Sequence, residues 1–491
     1  MRRILFVGTA GIATLSALPA LASRPATLTQ ALVLAYYNNA TLQQQRAALR
    51  QADEGVPAAL SGWRPTVELS GEIGHLYGRE TTPIYSGSPL TTKIGQTRTE
   101  TVGQATITEP LYKGGKTIAS TRQAKNSVYA ARAQLLAQEQ TVFQNVVQAY
   151  VTVMTDRRIL ELDRSNEQVL QQQLHDTKAQ FGVGEITMTS VAQAQASLSQ
   201  AQAAVEVAQG NVRIARENFR QLVGEEPADK LAPPQPLALP VDSKDAAAKA
   251  ALRNNPNVIA AEFTDAAAKD AVDVAFSALM PQVSVQASAY SEDGQAGPHT
   301  KLTGGSVIGQ LTVPLYQGGQ EYATIRQARA KEQQDFGGIL QAQRTAYANA
   351  TQAWEGLRAA RAAIVSTNEA IKANAIALDG TEREELVGTR TTLDVLNAQQ
   401  ALLNAQVQQV QNISTMVTNS YNVAAAIGRL TARDLGLPVH EYDDKKYYEA
   451  VKYAGFGTGE AADEAAGIAS DGALLDASAV SGAAGSSASG P

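Results

Sequence analysis

The chain has 491 residues, a formal net charge of -6 at pH 7, 18% charged residues and no cysteine. No basic surplus is available to neutralise a nucleic-acid backbone, and a disulfide framework, a thiolate metal site, a cysteine nucleophile and a cysteine-linked lipid are all excluded. The composition leans on Ala, Gln, Ser and Thr, which suit long, closely packed helices with uncharged polar faces.

Arg2 and Arg3 precede an apolar run from Ile4 to about Leu18, and Ala20-Leu21-Ala22 stands just before Ser23. This is the pattern of a secretory signal, so residues 1–22 are expected to be removed on export. No later stretch offers about eighteen consecutive apolar residues, so the mature chain can enter a membrane only as β-strands. From Leu28 to about Gly62 the sequence predicts one helix, closed by Trp63, Arg64 and Pro65. Val67, Leu69, Ile73, His75 and Tyr77 then share one parity and Thr66, Glu68, Ser70 and Glu72 the other, the two-residue period of a strand with one apolar face. Gly78 to Arg98, rich in Thr, Ser, Gly and Pro, is expected to be an exposed loop, and Val102 to Ile107 resumes the alternation.

PLYKGGKTIASTRQA, from Pro110 to Ala124, and PLYQGGQEYATIRQA, from Pro314 to Ala328, agree at nine of fifteen positions at an offset of 204 residues. Each copy sits where strand-like alternation gives way to helical spacing, so each is a strand-to-helix junction. Proline ends the strand because it cannot donate to a ladder, and the glycine pair permits the change of direction.

From about Lys116 to Gln180 there is no proline, and apolar residues recur at Leu135, Val142, Val146, Ala149 and Val153. This predicts a helix of roughly 100 Å at about 1.5 Å per residue. A break at Phe181-Gly182-Val183-Gly184 separates it from a helix half as long, Thr187 to Val223, and a proline-rich linker follows. The pattern then recurs. Asn255-Pro256-Asn257-Val258 matches Asn39-Ala40-Thr41-Leu42, and Pro281 matches Pro65, both at an offset of 216. A second strand pair is expected at Val283 to Ala289 and Val307 to Val313, joined by a loop from Ser291 to Gly305. The fall in offset from 216 to 204 is expected to reflect twelve residues of loop between the strands of each pair. A second long helix, about Gln320 to Glu385, a break at Val387-Gly388 and a shorter helix from Thr392 complete the second half. The expected organisation is a signal (1–22), a first repeat (23–226), a linker (227–242), a second repeat (243–434), a C-terminal packing segment (435–456) and a disordered tail (457–491).

Four strands per chain cannot close a barrel, and open edges in a bilayer leave backbone groups unpaired. Closure needs other chains: two would give eight strands with a filled interior, three would give twelve and room for a channel. The segment VGTRTTLDVLNA, Val387 to Ala398, with the signal, the duplicated halves and the strand pairs, resembles the TolC family of outer-membrane channel proteins over about residues 25 to 456. LGLPVHEYDDKKYYEAVKYAGFG, from Leu435, is similar to the end of members serving type I secretion. The resemblance implies a mainly α fold with membrane β: a homotrimer whose twelve-stranded transmembrane β-barrel lies in the cell outer membrane and continues as a twelve-helix coiled-coil tunnel in the periplasm. It implies outer-membrane lipid, a periplasmic adaptor and an inner-membrane ABC transporter or RND-type pump as partners. The implied function is an exit duct for type I protein secretion, with multidrug or metal efflux as the alternative. A periplasmic coiled-coil scaffold without a pore is the alternative of another class, and the strand pairs argue against it.

Gly115-Lys116-Thr117 lacks the earlier glycine of a phosphate-binding loop, since Pro110 stands there. His75, His175, His299 and His440 show no ligand spacing. No catalytic pairing is present, so neither an enzyme nor a cofactor is expected. Trp63, Tyr112 and Tyr316 fall at helix–strand passages and are expected to form an interfacial belt. The turns Val183-Gly184-Glu185 and Val387-Gly388-Thr389 are the points most remote from the strands and are expected to contact an adaptor. At an offset of 204, Glu385, Arg390, Asp394 and Asn397 correspond to Phe181, Ile186, Ser190 and Gln193, so the two halves differ at the tips. By resemblance, Asp394 is an aperture acid and Arg390 a latch arginine. Asn397, Glu385 and Ser190 stand where the family archetype has a second acid, a tyrosine and the latch's aspartate. A ring of Asp394 carboxylates is expected to favour cations and to raise its own apparent pKa.

Overall fold

The computed structural model describes residues 24–295 and 299–458. The expected signal and all but the first two residues of the expected tail lie outside them. The predicted helix from Leu28 to Gly62 is instead three: α1 (Leu28–Asn38), α2 (Ala40–Asp53) and α3 (Gly55–Leu60). The interruption at Asn39 has a tertiary cause. Its Oδ1 accepts from the Thr41 and Leu42 amides at 3.1 and 3.2 Å, capping α2, while its Nδ2 donates to Leu222 O at 3.0 Å. One amide side chain thus starts a helix and satisfies an orphan carbonyl at the end of another.

Two hairpins follow, β1 (Thr66–Pro83) with β2 (Thr91–Lys113) and β3 (Gln282–Asp293) with β4 (Lys301–Thr312). They form one antiparallel sheet in the order β1-β2-β3-β4. The expected loop from Gly78 to Arg98 is mostly strand, and only residues 84–90 connect β1 to β2. At an offset of 216, β3 starts level with β1 but ends six residues sooner; at 204, β2 starts six residues before β4. The twelve residues therefore lengthen the strands of the first hairpin and not its turn, and residues 91–100 of β2 run past the part paired with β3. Alternation fades there, while the ladder to β1 persists.

Register carries one apolar row across all four strands. Val67 and Leu69 stand opposite Ile107 and Ala105, these opposite Ala287 and Ala289, and Ala287 opposite Val307. The other face carries Glu68, Ser70, Glu72, Gln104, Thr106, Ser288 and Ser306. Leu69 and Tyr77 are each 83% exposed on the apolar face.

α4 (Lys116–Gly182) and α8 (Gln320–Leu386) each run 67 residues, about 100 Å. Each begins at a glycine in the left-handed region, Gly115 at φ 83° and Gly319 at φ 87°, where a side chain would be strained. α5 (Met188–Val223) and α9 (Thr392–Ala426) return along them. Between α5 and β3 lie the irregular linker, α6 (Lys244–Asn254) and α7 (Pro256–Phe276). Asn255 repeats the role of Asn39: its Oδ1 caps α7 at the Asn257 amide, and its Nδ2 donates to Ala426 O at 3.0 Å.

The main core lies at mid-length of α4, around Phe143, Val146, Tyr150 and Phe219. The C-terminal segment with α10 (Lys446–Val451) straps across α1 and α2 there. The Tyr36 and Tyr37 hydroxyls accept from the Tyr442 and His440 amides, both at 2.8 Å, and the Tyr447 hydroxyl donates to Glu54 Oε1 at 2.7 Å. Beneath the strap Asp53 is 1% exposed. Burial pushes its carboxyl up to about 7 against the pull of Arg132, and Asp444 and Glu54 add to the rise.

Candidate functional site at the helical tips

Both long helices end in the same turn. Gly184 N donates to Phe181 O at 3.0 Å and Glu185 N to Gln180 O at 3.0 Å; Gly388 N donates to Glu385 O at 2.8 Å and Thr389 N to Glu384 O at 2.9 Å. This paired bonding requires a left-handed residue after the helix, which Gly184 (φ 85°) and Gly388 (φ 77°) provide. The valine before each glycine, Val183 or Val387, is 74% exposed, so each helical hairpin ends in a bare apolar residue on a hydrogen-bonded turn.

Chemistry then separates the tips. In the second, Arg390 Nε donates to Glu384 Oε2 across the turn at 3.0 Å, and Thr389 Oγ1 donates to Glu384 O at 2.9 Å. Thr391 caps α9 in a reciprocal box: its Oγ1 accepts from the Asp394 amide at 3.3 Å, while Asp394 Oδ2 accepts from the Thr391 amide at 3.0 Å and hydroxyl at 2.9 Å. These bonds from the Thr391 backbone and then its side chain hold the Asp394 carboxyl below the usual range, and the Arg390 charge adds to the effect. In the first tip, Gln180 and Ile186 occupy the places of Glu384 and Arg390, and Thr187 Oγ1 and Ser190 Oγ stand 3.5 Å apart.

The structure therefore pairs Arg390 with Glu384 across the turn and Asp394 with Thr391 at the start of α9, with the Arg390 charge acting on Asp394. It does not join Ser190 to them within the chain. Glu385 is half-buried and serves the turn through its carbonyl, and Asn397 is exposed one turn beyond Asp394. Sequence spacing singles out Glu385 and misses its neighbour Glu384. The turn's six-residue bond is the signal that finds it, since that bond sets the carbonyl of residue 384 under the residues just before Arg390.

The two hairpins touch through a small seam in which Leu396 of α9 packs with Leu170 and Leu174 of α4 and with Val191, Ala194 and Leu198 of α5. Beside it, Gln399 Nε2 donates to Asn166 Oδ1 at 3.2 Å. At the opposite end of the long helices Trp63, Tyr112 and Tyr316 are all exposed where helix passes to strand. No helix of the described residues is long and apolar enough to cross a membrane, and no group of three or more His, Asp or Glu among them could hold a metal ion.

The family model for outer membrane efflux proteins matches residues 31–225 and 247–429. The chain is 35% identical over 432 residues to the outer membrane efflux protein BepC of Brucella suis, covering 88% of this chain and 91% of that one. It is 25% identical to outer membrane protein TolC of Escherichia coli, over 60% of this chain and 63% of that one. It is 26% identical to the alkaline protease secretion protein AprF of Pseudomonas aeruginosa, over 55% and 57%. The crystal structure of the outer membrane protein VceC of Vibrio cholerae superposes with a TM-score of 0.69 at 19% identity, over 82% of this chain and 96% of that one. These relatives are channel proteins and not enzymes. Two long helices, their half-length partners and a four-stranded sheet with one apolar face are the parts such a channel needs, and the chain belongs to the TolC-like outer membrane efflux protein family.

Proposed function

We propose that three copies close their sheets into a twelve-stranded barrel in the outer membrane and that the helices continue it as a periplasmic tunnel, the two halves of each chain having arisen by duplication. The apolar row running in register across all four strands carries this reading: it fits a lipid-facing surface, with Glu68, Glu72, Gln104 and Ser288 on the side of an aqueous lumen. β1 and β4 each have a free edge, and a bilayer leaves such edges no water, so each must pair with the other edge of a neighbour. The exposed Trp63, Tyr112 and Tyr316 suit the membrane boundary near the helices. Native mass measurement in detergent tests the assembly: three copies are expected, and a stable monomer with its β-structure intact overturns it.

In this reading the duct serves type I protein secretion, with the apolar turns at Val183 and Val387 docking a periplasmic adaptor. The support is the C-terminal segment from Leu435 and the likeness to AprF. Small-molecule efflux is the second reading, favoured by the likeness to BepC. Crosslinking in cells followed by identification of the co-purifying inner-membrane protein separates them: an ABC transporter supports secretion, and an RND-type pump supports efflux. Arg390 and Asp394 form the gate at the second tip, with Glu384 as the resting partner of Arg390.

A further inference from the structure

We propose that α8 docks on α2 and α3 of a second copy of this chain, with Arg326 paired to Glu54 of that copy. This rests on the three-copy reading and adds which surfaces meet. The template lies within the chain, where α4 packs against α7 of the other half. There Arg122 Nε donates to Asp270 Oδ1 at 2.9 Å and its Nη2 to Asp273 Oδ2 at 2.6 Å, while Asn126 Nδ2 donates to Asp270 Oδ2 at 2.8 Å.

Both ends of this contact have counterparts. Arg122 and Arg326 hold the same place in the fifteen-residue repeat, at an offset of 204. Asp270 lies 216 residues after Glu54, the offset that also relates Asn255 to Asn39. So α2 and α3 are to α8 what α7 is to α4. Within one chain α2 and α3 pack against α4 instead, and α8 packs against α6, α7 and α9. Arg326 is exposed and enters no ion pair among the described residues. Glu54 is exposed too, and its Oε1 accepts from the Tyr447 hydroxyl.

The surfaces around the two charges match. Gln44, Ala47, Gln51 and Ala58 on α2 and α3 are exposed and uncharged. On α8, Gly337 is bare where its counterpart Ala133 on α4 is buried, and a Cβ added at Gly337 would meet nothing. A glycine pair at 337 and 338 weakens an isolated helix but lowers its surface for close approach by another. Because Tyr447 holds Glu54, the C-terminal strap borders this seam.

The natural chain has no cysteine, which makes the test clean. Glu54→Cys with Arg326→Cys is assembled in membranes and treated with a short bismaleimide, chosen because an Arg–Glu pair sets its Cα atoms farther apart than a disulfide spans. Covalent trimers on a denaturing gel are expected, and none from either single variant. A three-copy native mass without covalent species overturns this docking and leaves the trimer standing; any other native mass overturns both. Charge reversal checks the pair without cysteines. Arg326→Glu and Glu54→Arg should each lower the temperature at which the assembly dissociates, and together should recover at least half of the loss. Losses that simply add overturn the pairing.

Discussion

The two tips have the same backbone and opposite chemistry. Gly184 and Gly388 close the long helices with the same pair of bonds, so shape cannot distinguish them. What differs is the wall behind the turn: Gln180 and Ile186 in the first tip, the Glu384–Arg390 pair and the capped Asp394 in the second. The two halves thus share one turn geometry, while an Arg–Glu pair across the turn is built into the second tip alone among the described residues.

The largest expected effect strikes what the tips share. Gly388→Val and Gly184→Val place a β-branched residue in the left-handed region, a local strain of roughly 1–3 kcal/mol, and each should abolish export while the native mass is unchanged. Export at the natural level from both would remove the turns from the docking surface. Next comes the difference between them. Arg390→Ser should raise planar-bilayer conductance several-fold, an order-of-magnitude expectation for removing a closing contact at a constriction, whereas Ile186→Ser should leave it alone; equal conductance in both breaks the comparison.

Asp394→Asn should reduce cation preference more than conductance, measured as a shift in reversal potential under a salt gradient. Its cap also has a pH signature. The folded carboxyl lies below its ordinary value of 3.8, so its contribution is present above that value and is lost as pH falls through the depressed range. Amide exchange at the start of α9 should therefore quicken in acid in the natural chain, beyond the intrinsic pH trend, and not in Asp394→Asn. The smallest effect is expected away from the tips. Asp53 moves the other way, from 3.8 to about 7, so its contribution to strap docking is full below 3.8 and declines as pH rises through about 7. Protease resistance of the strap should fall over that window in the natural chain and stay flat in Asp53→Asn.

Much of this architecture is legible in the amino-acid order alone. The long helices are legible because sixty-odd residues without proline keep one spacing, and the tips because Val-Gly recurs at a fixed offset. Three features are not. The break at Asn39 depends on Leu222, far away in sequence, and nothing in the helical spacing around it announces an interruption. The first hairpin beyond Gly78 has no apolar alternation to detect, since its strand character lies in the ladder. Glu384 and the Gln399–Asn166 contact are matters of side-chain reach, which spacing alone does not encode.

The longer first hairpin has a consequence for what the molecule shows to its surroundings. Six extra residues on each strand carry the turn at 84–90 about 20 Å beyond the end expected of a hairpin as short as the second. A bulky probe approaching along the strands, such as an antibody or a protease, meets Ile84, Tyr85 and Leu90 first and finds the end of β3 recessed. In the proposed three-copy assembly this would make a crown of three tall posts with three low gaps, an uneven outer rim above a more regular wall.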